Sequence, residues 1–163
     1  MKSTYSNNQF YIITEKNFLH LDVIADYICN QSYWGKEMTP DLVKISIENS
    51  PLCFGLFDGN PRVNPSAKQV GFARVITDFV RFAYLADVFI IKEYRGRGLS
   101  KWLIETIVNE PKLKGAAFQL ATKDAHTLYE KFGFQTIDQP ENRMLRPLNM
   151  KHIHEAYKQT TDK

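Results

Sequence analysis

The sequence has little of several features that mark specialised classes of protein. Cysteine occurs only twice, at Cys29 and Cys53, which excludes a disulfide-stapled scaffold, and both are expected to be buried, reduced thiols. No apolar run reaches the roughly 18 residues needed to cross a bilayer. Residues 1–9 also lack the apolar core of a secretion signal. A cytoplasmic protein with no membrane partner is therefore expected.

Excess charge and metal-ligand clusters are lacking as well. The net charge is only +3 and the basic residues are dispersed along the chain, which argues against a nucleic-acid partner. The four histidines do not stand at ligand spacing from carboxylates or cysteines, so no metal site is expected.

What remains is the composition of an ordinary folded domain. The chain has 163 residues, of which 44% are hydrophobic and 24% charged, enough to bury a core and too few for two substantial domains. One domain spanning residues 1–163 is predicted, with residues 150–163 as a loosely packed polar tail.

The apolar pattern predicts an α+β fold, with a central mixed and mostly antiparallel sheet of six or seven strands flanked by about four helices. Strands are predicted at Gln9–Thr14, Leu52–Phe57, Gln69–Thr77, Arg81–Ile91, Ala116–Ala121 and Phe134–Ile137, with a weaker seventh near Met144–Arg146. Helices are predicted at Leu19–Asn30, residues 40–49, Arg97–Asn109 and Asp124–Phe132.

One segment has the pattern of a phosphate-binding turn. An apolar strand leads into Tyr94–Ser100 (YRGRGLS), and an amphipathic helix follows directly. Glycines let a backbone approach a ligand closely, and the free N–H groups of a first helical turn attract anions. The spacing matches neither a P-loop nor a dinucleotide fingerprint.

Two ordered motifs resemble those of the GNAT N-acetyltransferases. Arg95, Gly98 and Ser100 occupy the family's Gln/Arg-x-x-Gly-x-Gly/Ala signature at a strand-to-helix turn. Further along, Ala125–Phe134 (AHTLYEKFGF) is similar to the family's A-x-x-L-Y-x-K-x-G-F segment. The resemblance extends from about Gln69 to Ile137, and it implies a GNAT-like fold that uses acetyl-CoA as co-substrate without a metal.

The resemblance also implies where acetyl-CoA binds. The pantetheine arm would enter a V-shaped opening beside the strand that ends at Ile91, the thioester carbonyl would lie near a backbone N–H, and the pyrophosphate would lie on the glycine turn. The implied cofactor-binding residues are Val88, Phe89 and Ile90 of the strand, and Arg95, Gly96, Arg97, Gly98, Leu99, Ser100 and Lys101 of the turn and helix.

Two residues are candidates for catalysis. Tyr129, in the second motif, is suited to give a proton to the departing thiolate, although an interior structural tyrosine is the alternative. Asp87 interrupts the apolar strand LADVFII, so it either binds the amine or accepts its proton, or it points away from the site and pairs with a neighbouring arginine or backbone N–H.

The acceptor is less well specified by the sequence. Tyr33, Trp34, Phe82 and Tyr84 are candidates for an aromatic acceptor pocket, with core packing as the alternative. Acetylation of a primary amine on a small molecule is the leading hypothesis. A peptide or protein N-acetyltransferase and a non-catalytic acyl-CoA sensor remain alternatives, and a homodimer is left open.

Overall fold

A six-stranded mixed sheet forms the centre of the α+β fold, with strand order β1-β2-β3-β4-β5-β6. The computed structural model describes residues 2–161, with side chains to residue 158. The strands are β1 (Thr4–Asn7), β2 (Phe10–Ile13), β3 (Leu52–Asp58), β4 (Lys68–Thr77), β5 (Phe82–Ile90) and β6 (Ala117–Gln119). The helices are α1 (Leu21–Asp26), α2 (Pro40–Glu48), α3 (Leu99–Val108), α4 (His126–Glu130) and α5 (Met150–Thr161).

The first strand, β1, is not foreseen from the sequence. It is a polar edge strand that pairs antiparallel with β2 across a two-residue connection in which Asn8 has φ 53°. Asparagine tolerates this left-handed conformation better than most residues, which allows the tight turn. A half-exposed edge strand needs little apolar alternation, and its sequence signal is correspondingly weak.

The helices before the third strand follow the predicted pattern with one change of geometry. The predicted helix Leu19–Asn30 begins as α1 and continues as a π-helical turn, Tyr27–Gln31. The predicted helix at residues 40–49 is α2. Its start is fixed because the Thr39 hydroxyl accepts a hydrogen bond from the Leu42 N–H at 3.3 Å.

Both faces of the sheet are buried. On one face, α3 and α4 pack through residues such as Leu103, Ile104 and Tyr129 against Phe54 and Leu56 of β3. The opposite face carries α1 and α2, and its cluster is formed by Leu19, Ile24, Ala25, Tyr27, Ile28, Val43, Ile47, Cys53, Phe72 and Phe89. Sheets covered on both sides read as nearly continuous apolar strands, which explains the runs in β3 to β5.

The C-terminal part differs from the prediction. Phe134–Ile137 and Met144–Arg146 are not strands, so the sheet reaches six strands through β1 instead. Pro140 and Pro147 each lack a backbone N–H, which weakens any strand ladder in this region. The predicted polar tail is the helix α5, whose first turn is capped where Asn149 Oδ1 accepts a hydrogen bond from His152 N at 3.2 Å.

Two irregularities of β5 shape the centre of the molecule. It pairs in parallel with β6 only from Phe82 to Tyr84, and then continues past the end of β6 to Ile90. Between the pairs Phe72↔Phe89 and Arg74↔Ala86, β5 contains one more residue than β4. This is a β-bulge, and Asp87 within it has φ 54°. Because β5 continues beyond the end of β6, an opening forms where these two parallel strands separate.

Candidate active site

The glycine turn leads into the first turn of α3 as the sequence indicates. Gly96 and Gly98 have φ of 76° and 75°, and a Cβ placed on either would meet no atom within 4 Å. The Trp102 N–H donates to the Gly98 carbonyl at 3.1 Å. The N–H groups of the three preceding residues are therefore those that a helix leaves without an intrahelical acceptor. Open space above free donors is what a bound phosphate requires.

The arginines of this turn do different things. Arg95 reaches back along the strand: its Nε donates to the Ile90 carbonyl at 3.1 Å and its Nη2 to the Tyr27 hydroxyl at 2.8 Å. Arg97 instead lies over the Tyr94 ring, with 4.7 Å from Cζ to the ring centroid. Arg95 therefore fixes the end of β5, while the exposed Arg97 keeps its charge beside the turn.

A cleft of about 340 Å³ joins the end of β5 to the glycine turn and α4. Its walls include Val88 and Ile90 of the strand, Gly98 and Ser100 of the turn, and Leu128 of the helix. The Phe89 ring stacks on Tyr27 at 3.9 Å and is buried on the other face of the sheet. Only the backbone of Phe89, and not its ring, is therefore suited to contact a ligand in the cleft.

A second cavity, of about 620 Å³, adjoins the cleft near the start of α4. It includes three of the predicted acceptor residues, Tyr33, Trp34 and Tyr84, together with Asp87. Phe82, the first residue of β5, is not among its lining residues. The cavity and the cleft share four lining residues, Trp34, Val88, Ala125 and Tyr129.

Tyr129 lies at this junction. Its side chain is 9% exposed, and its ring packs edge-on against Phe134 with centroids 5.6 Å apart. Burial raises the pKa of Tyr129 to about 12, with smaller contributions from Tyr33 and Asp124. No protein group within residues 2–161 hydrogen-bonds its hydroxyl. The phenol is thus held by its ring, protonated at neutral pH, with its proton free to be donated.

Asp87 has partners on both oxygens. Arg74 Nε donates to Oδ2 at 2.5 Å, and Trp34 Nε1 donates to Oδ1 at 3.0 Å. The side chains of Asp87 and Arg74 are 11% and 16% exposed, so the pair is mostly removed from water. Arg74 is held in turn, because its Nη1 donates to the Ser50 hydroxyl at 3.1 Å. The pairing with an arginine that the sequence left open is therefore present, and the carboxylate still faces the cavity.

Two contacts join segments at the cavity lining or next to it. The Tyr33 hydroxyl accepts a hydrogen bond from the Lys123 N–H at 3.0 Å, joining the segment after α1 to the segment before α4. On another side, Leu148 lines the cavity just before α5, and α5 is held where His154 Nε2 lies 2.8 Å from the Glu37 carbonyl oxygen.

The lining residues that were not foreseen from the sequence include Arg74, Lys123 and Leu148. Arg74 carried a usable signal, because an arginine within the apolar strand QVGFARVIT needs a buried partner. Lys123 and Leu148 lie in irregular segments, where local sequence gives no indication of what they face.

Other kinds of site find no support in the described part of the chain. Within residues 2–161, no cluster of three or more His, Cys, Asp or Glu side chains has an arrangement that could bind a metal ion. The helices in the same range are all too short or too polar to span a bilayer.

Comparisons with known proteins agree with this geometry. A family model described as an acetyltransferase (GNAT) domain matches residues 61–136. A solved structure from Xanthomonas campestris pv. campestris, provisionally described as an acetyltransferase of the GNAT family, is 39% identical, with a TM-score of 0.77. That match covers 85% of this chain and 93% of the other.

Two curated relatives match over a shorter range. A Gibberella zeae protein, provisionally named an acetyltransferase, is 30% identical over 118 residues, which are 65% of this chain and 66% of the relative. An uncharacterized N-acetyltransferase from Pyropia yezoensis is 28% identical over 128 residues, which are 76% of this chain and 69% of the relative. The chain thus spans about two thirds of the length of these relatives.

Proposed function

Because this chain belongs to the GNAT family of acetyltransferases, we propose that it transfers an acetyl group from acetyl-CoA to the primary amine of a small molecule. One observation carries the proposal. A cleft with a phosphate-type turn and a separate aromatic cavity meet at Tyr129, a buried tyrosine with a free hydroxyl. A donor in the cleft and an acceptor in the cavity can therefore meet beside one side chain.

The residues of the cleft fit an acyl-CoA. The free N–H groups at the start of α3, between Gly98 and Trp102, and the charges of Arg97 and Lys101 suit a pyrophosphate. The stretch of β5 beyond β6 has backbone groups that suit the amides of a pantetheine arm, which supports a role for Val88 and Ile90.

Transfer by direct attack needs a polarised carbonyl and a proton for the leaving group. A backbone N–H near Phe89 is proposed to stabilise the oxygen that becomes negative. As the C–N bond forms and the C–S bond breaks, the electron pair of the C–S bond leaves on sulfur. Tyr129 is proposed to give its hydroxyl proton to that thiolate. Solvent or the proton released by the amine then restores the phenol.

Asp87 is proposed to bind the acceptor amine. Its two oxygens each accept one hydrogen bond already, from Arg74 and Trp34, and a carboxylate oxygen can accept a second. The amine must lose a proton to become a nucleophile and another after attack. Asp87 is the lining carboxylate that could accept one, directly or through water.

The walls of the cavity favour a small acceptor over an extended peptide. The Tyr33–Lys123 hydrogen bond joins two segments of the lining, and Leu148 adds a residue from a third segment. An extended peptide would need an open groove at this place. A compact molecule fits the cavity without separating these segments.

Calorimetric titration with acetyl-CoA, followed by mass-spectrometric detection of acetylated product from a panel of amines, tests the proposal. Gly98→Glu is the matched variant, because a carboxylate in the phosphate position should abolish binding without touching the core. Binding with product supports an N-acetyltransferase of small amines. Binding without product on any amine favours a sensor or a peptide acceptor, and no binding refutes the proposal.

A further inference from the structure

The charges around the acceptor cavity limit how many positive charges an acceptor can carry. Among the described residues that line it, Asp87 is the only acidic one, and Arg74 already pairs with it. Lys123 adds a positive charge at the rim. A second ammonium on the acceptor would find no carboxylate in the lining and would be repelled by Arg74 and Lys123.

The remaining walls are mainly aromatic and aliphatic. Tyr33 and Trp34 lie edge to face, with ring centroids 5.0 Å apart, and Tyr84 lines the same cavity. Ile28, Met38, Leu85 and Leu148 are among the aliphatic residues of the lining. Aromatic walls of this kind favour a ring or another apolar body, and they also tolerate one cation nearby.

The carboxylate in the cavity lining has an aromatic neighbour. Trp34 donates its indole N–H to Asp87, which places an aromatic side chain directly beside the carboxylate. An amine bound to Asp87 therefore has Trp34 next to it, and the rest of its acceptor molecule extends among apolar side chains.

We propose that the acceptor is a primary amine with a single positive charge, attached to an apolar and preferably ring-containing body, and not a diamine, polyamine or aminoglycoside. This rests on the proposed acetyl transfer and specifies its acceptor. Asp87 selects the amine, the aromatic walls select the body, and Arg74 with Lys123 exclude a second cation.

The direct test is competition among three primary amines with acetyl-CoA and the full chain. 2-Phenylethylamine supplies one cation and a ring, pentylamine one cation and no ring, and 1,5-diaminopentane the same chain with a second cation. We expect kcat/KM to fall in that order, with at least about tenfold between the first and the last.

Two pairs of variants separate the causes. Lys123→Glu should raise kcat/KM for the diamine relative to pentylamine by at least about threefold, whereas Lys131→Glu, an exposed change outside the cavity lining, should leave the ratio unaltered. Tyr84→Leu should reduce the preference for the ring, and Tyr84→Phe, which keeps a ring, should retain it.

The outcomes distinguish this inference from the proposed function. If the diamine is acetylated as well as 2-phenylethylamine or better, the acceptor class is wrong while acetyl transfer stands. If acetyl-CoA binds and none of the three amines is acetylated, the acceptor class is also wrong. If acetyl-CoA does not bind at all, the proposed function itself fails.

Discussion

Replacement of Tyr129 by phenylalanine removes one oxygen and little else. The ring remains packed against Phe134, and the lost hydroxyl has no hydrogen-bond partner among the described residues. The free energy of unfolding should therefore change by less than about 0.5 kcal/mol. If the phenol protonates the thiolate, turnover should fall by about 10²-fold or more, which corresponds to about 2.7 kcal/mol of transition-state stabilisation.

The raised pKa of Tyr129 also predicts how the turnover of the wild-type enzyme depends on pH. Because burial raises it to about 12, the phenol stays protonated until the pH approaches that value. Wild-type turnover should show no loss from Tyr129 ionisation between about pH 7 and pH 10. A decline should begin only near pH 11, since a raised pKa favours the protonated form and delays its loss.

The assay is the initial rate of amine acetylation at saturating acetyl-CoA, with calorimetric titration and thermal unfolding of the same preparations. Tyr11→Phe, on β2 and outside the lining of both cavities, is the matched control and should keep the wild-type rate. A Tyr129→Phe enzyme with unchanged affinity for acetyl-CoA and a rate within about threefold of wild type would refute the assignment.

Three further changes test other parts of the site. Gly98→Ala should destabilise the protein by about 1 kcal/mol through its left-handed φ, measured by denaturant unfolding, and equal stability would contradict that reading. Asp87→Asn leaves Arg74 without its charged partner and should cost about 1–3 kcal/mol of unfolding free energy and raise the KM for the amine; unaltered stability would argue against the ion pair. At about pH 8 a thiol reagent should modify the partly exposed Cys29 well before the buried Cys53, whose pKa burial raises to about 11, and equal rates would show that Cys53 is accessible.

Much of the proposed cofactor side of the site was predictable because its determinants are local. The pattern of glycines and arginine before an amphipathic helix already specifies a left-handed turn and free helical N–H groups. The structure has these features at Gly96, Gly98 and the start of α3. Tyr129 could be proposed in the same way, from a motif contained within ten residues of one helix and its ends.

The acceptor side was only partly predictable. Aromatic residues and Asp87 were recognisable as candidates, but alternation alone could not separate Phe82, which lies outside the cavity lining, from Tyr84, which lies within it. The β-bulge at Asp87 shifts the pairing register of β5 with β4 by one residue, and the apolar sequence of the strand does not predict a bulge.

The sequence by itself determined the succession of strands β2 to β6 along the chain, and with it the α+β class, and the glycine turn, because each depends on patterns of residues close together in the chain. Only the tertiary structure decided that Asp87 pairs with Arg74, that Tyr33 reaches Lys123, and that Leu148 lines the same cavity as these residues. The Arg74–Asp87 and Tyr33–Lys123 contacts join residues that are 13 and 90 positions apart in the chain. The contact between His154 of α5 and the Glu37 carbonyl joins residues 117 positions apart. Their formation depends on how the sheet and helices pack and not on any local preference.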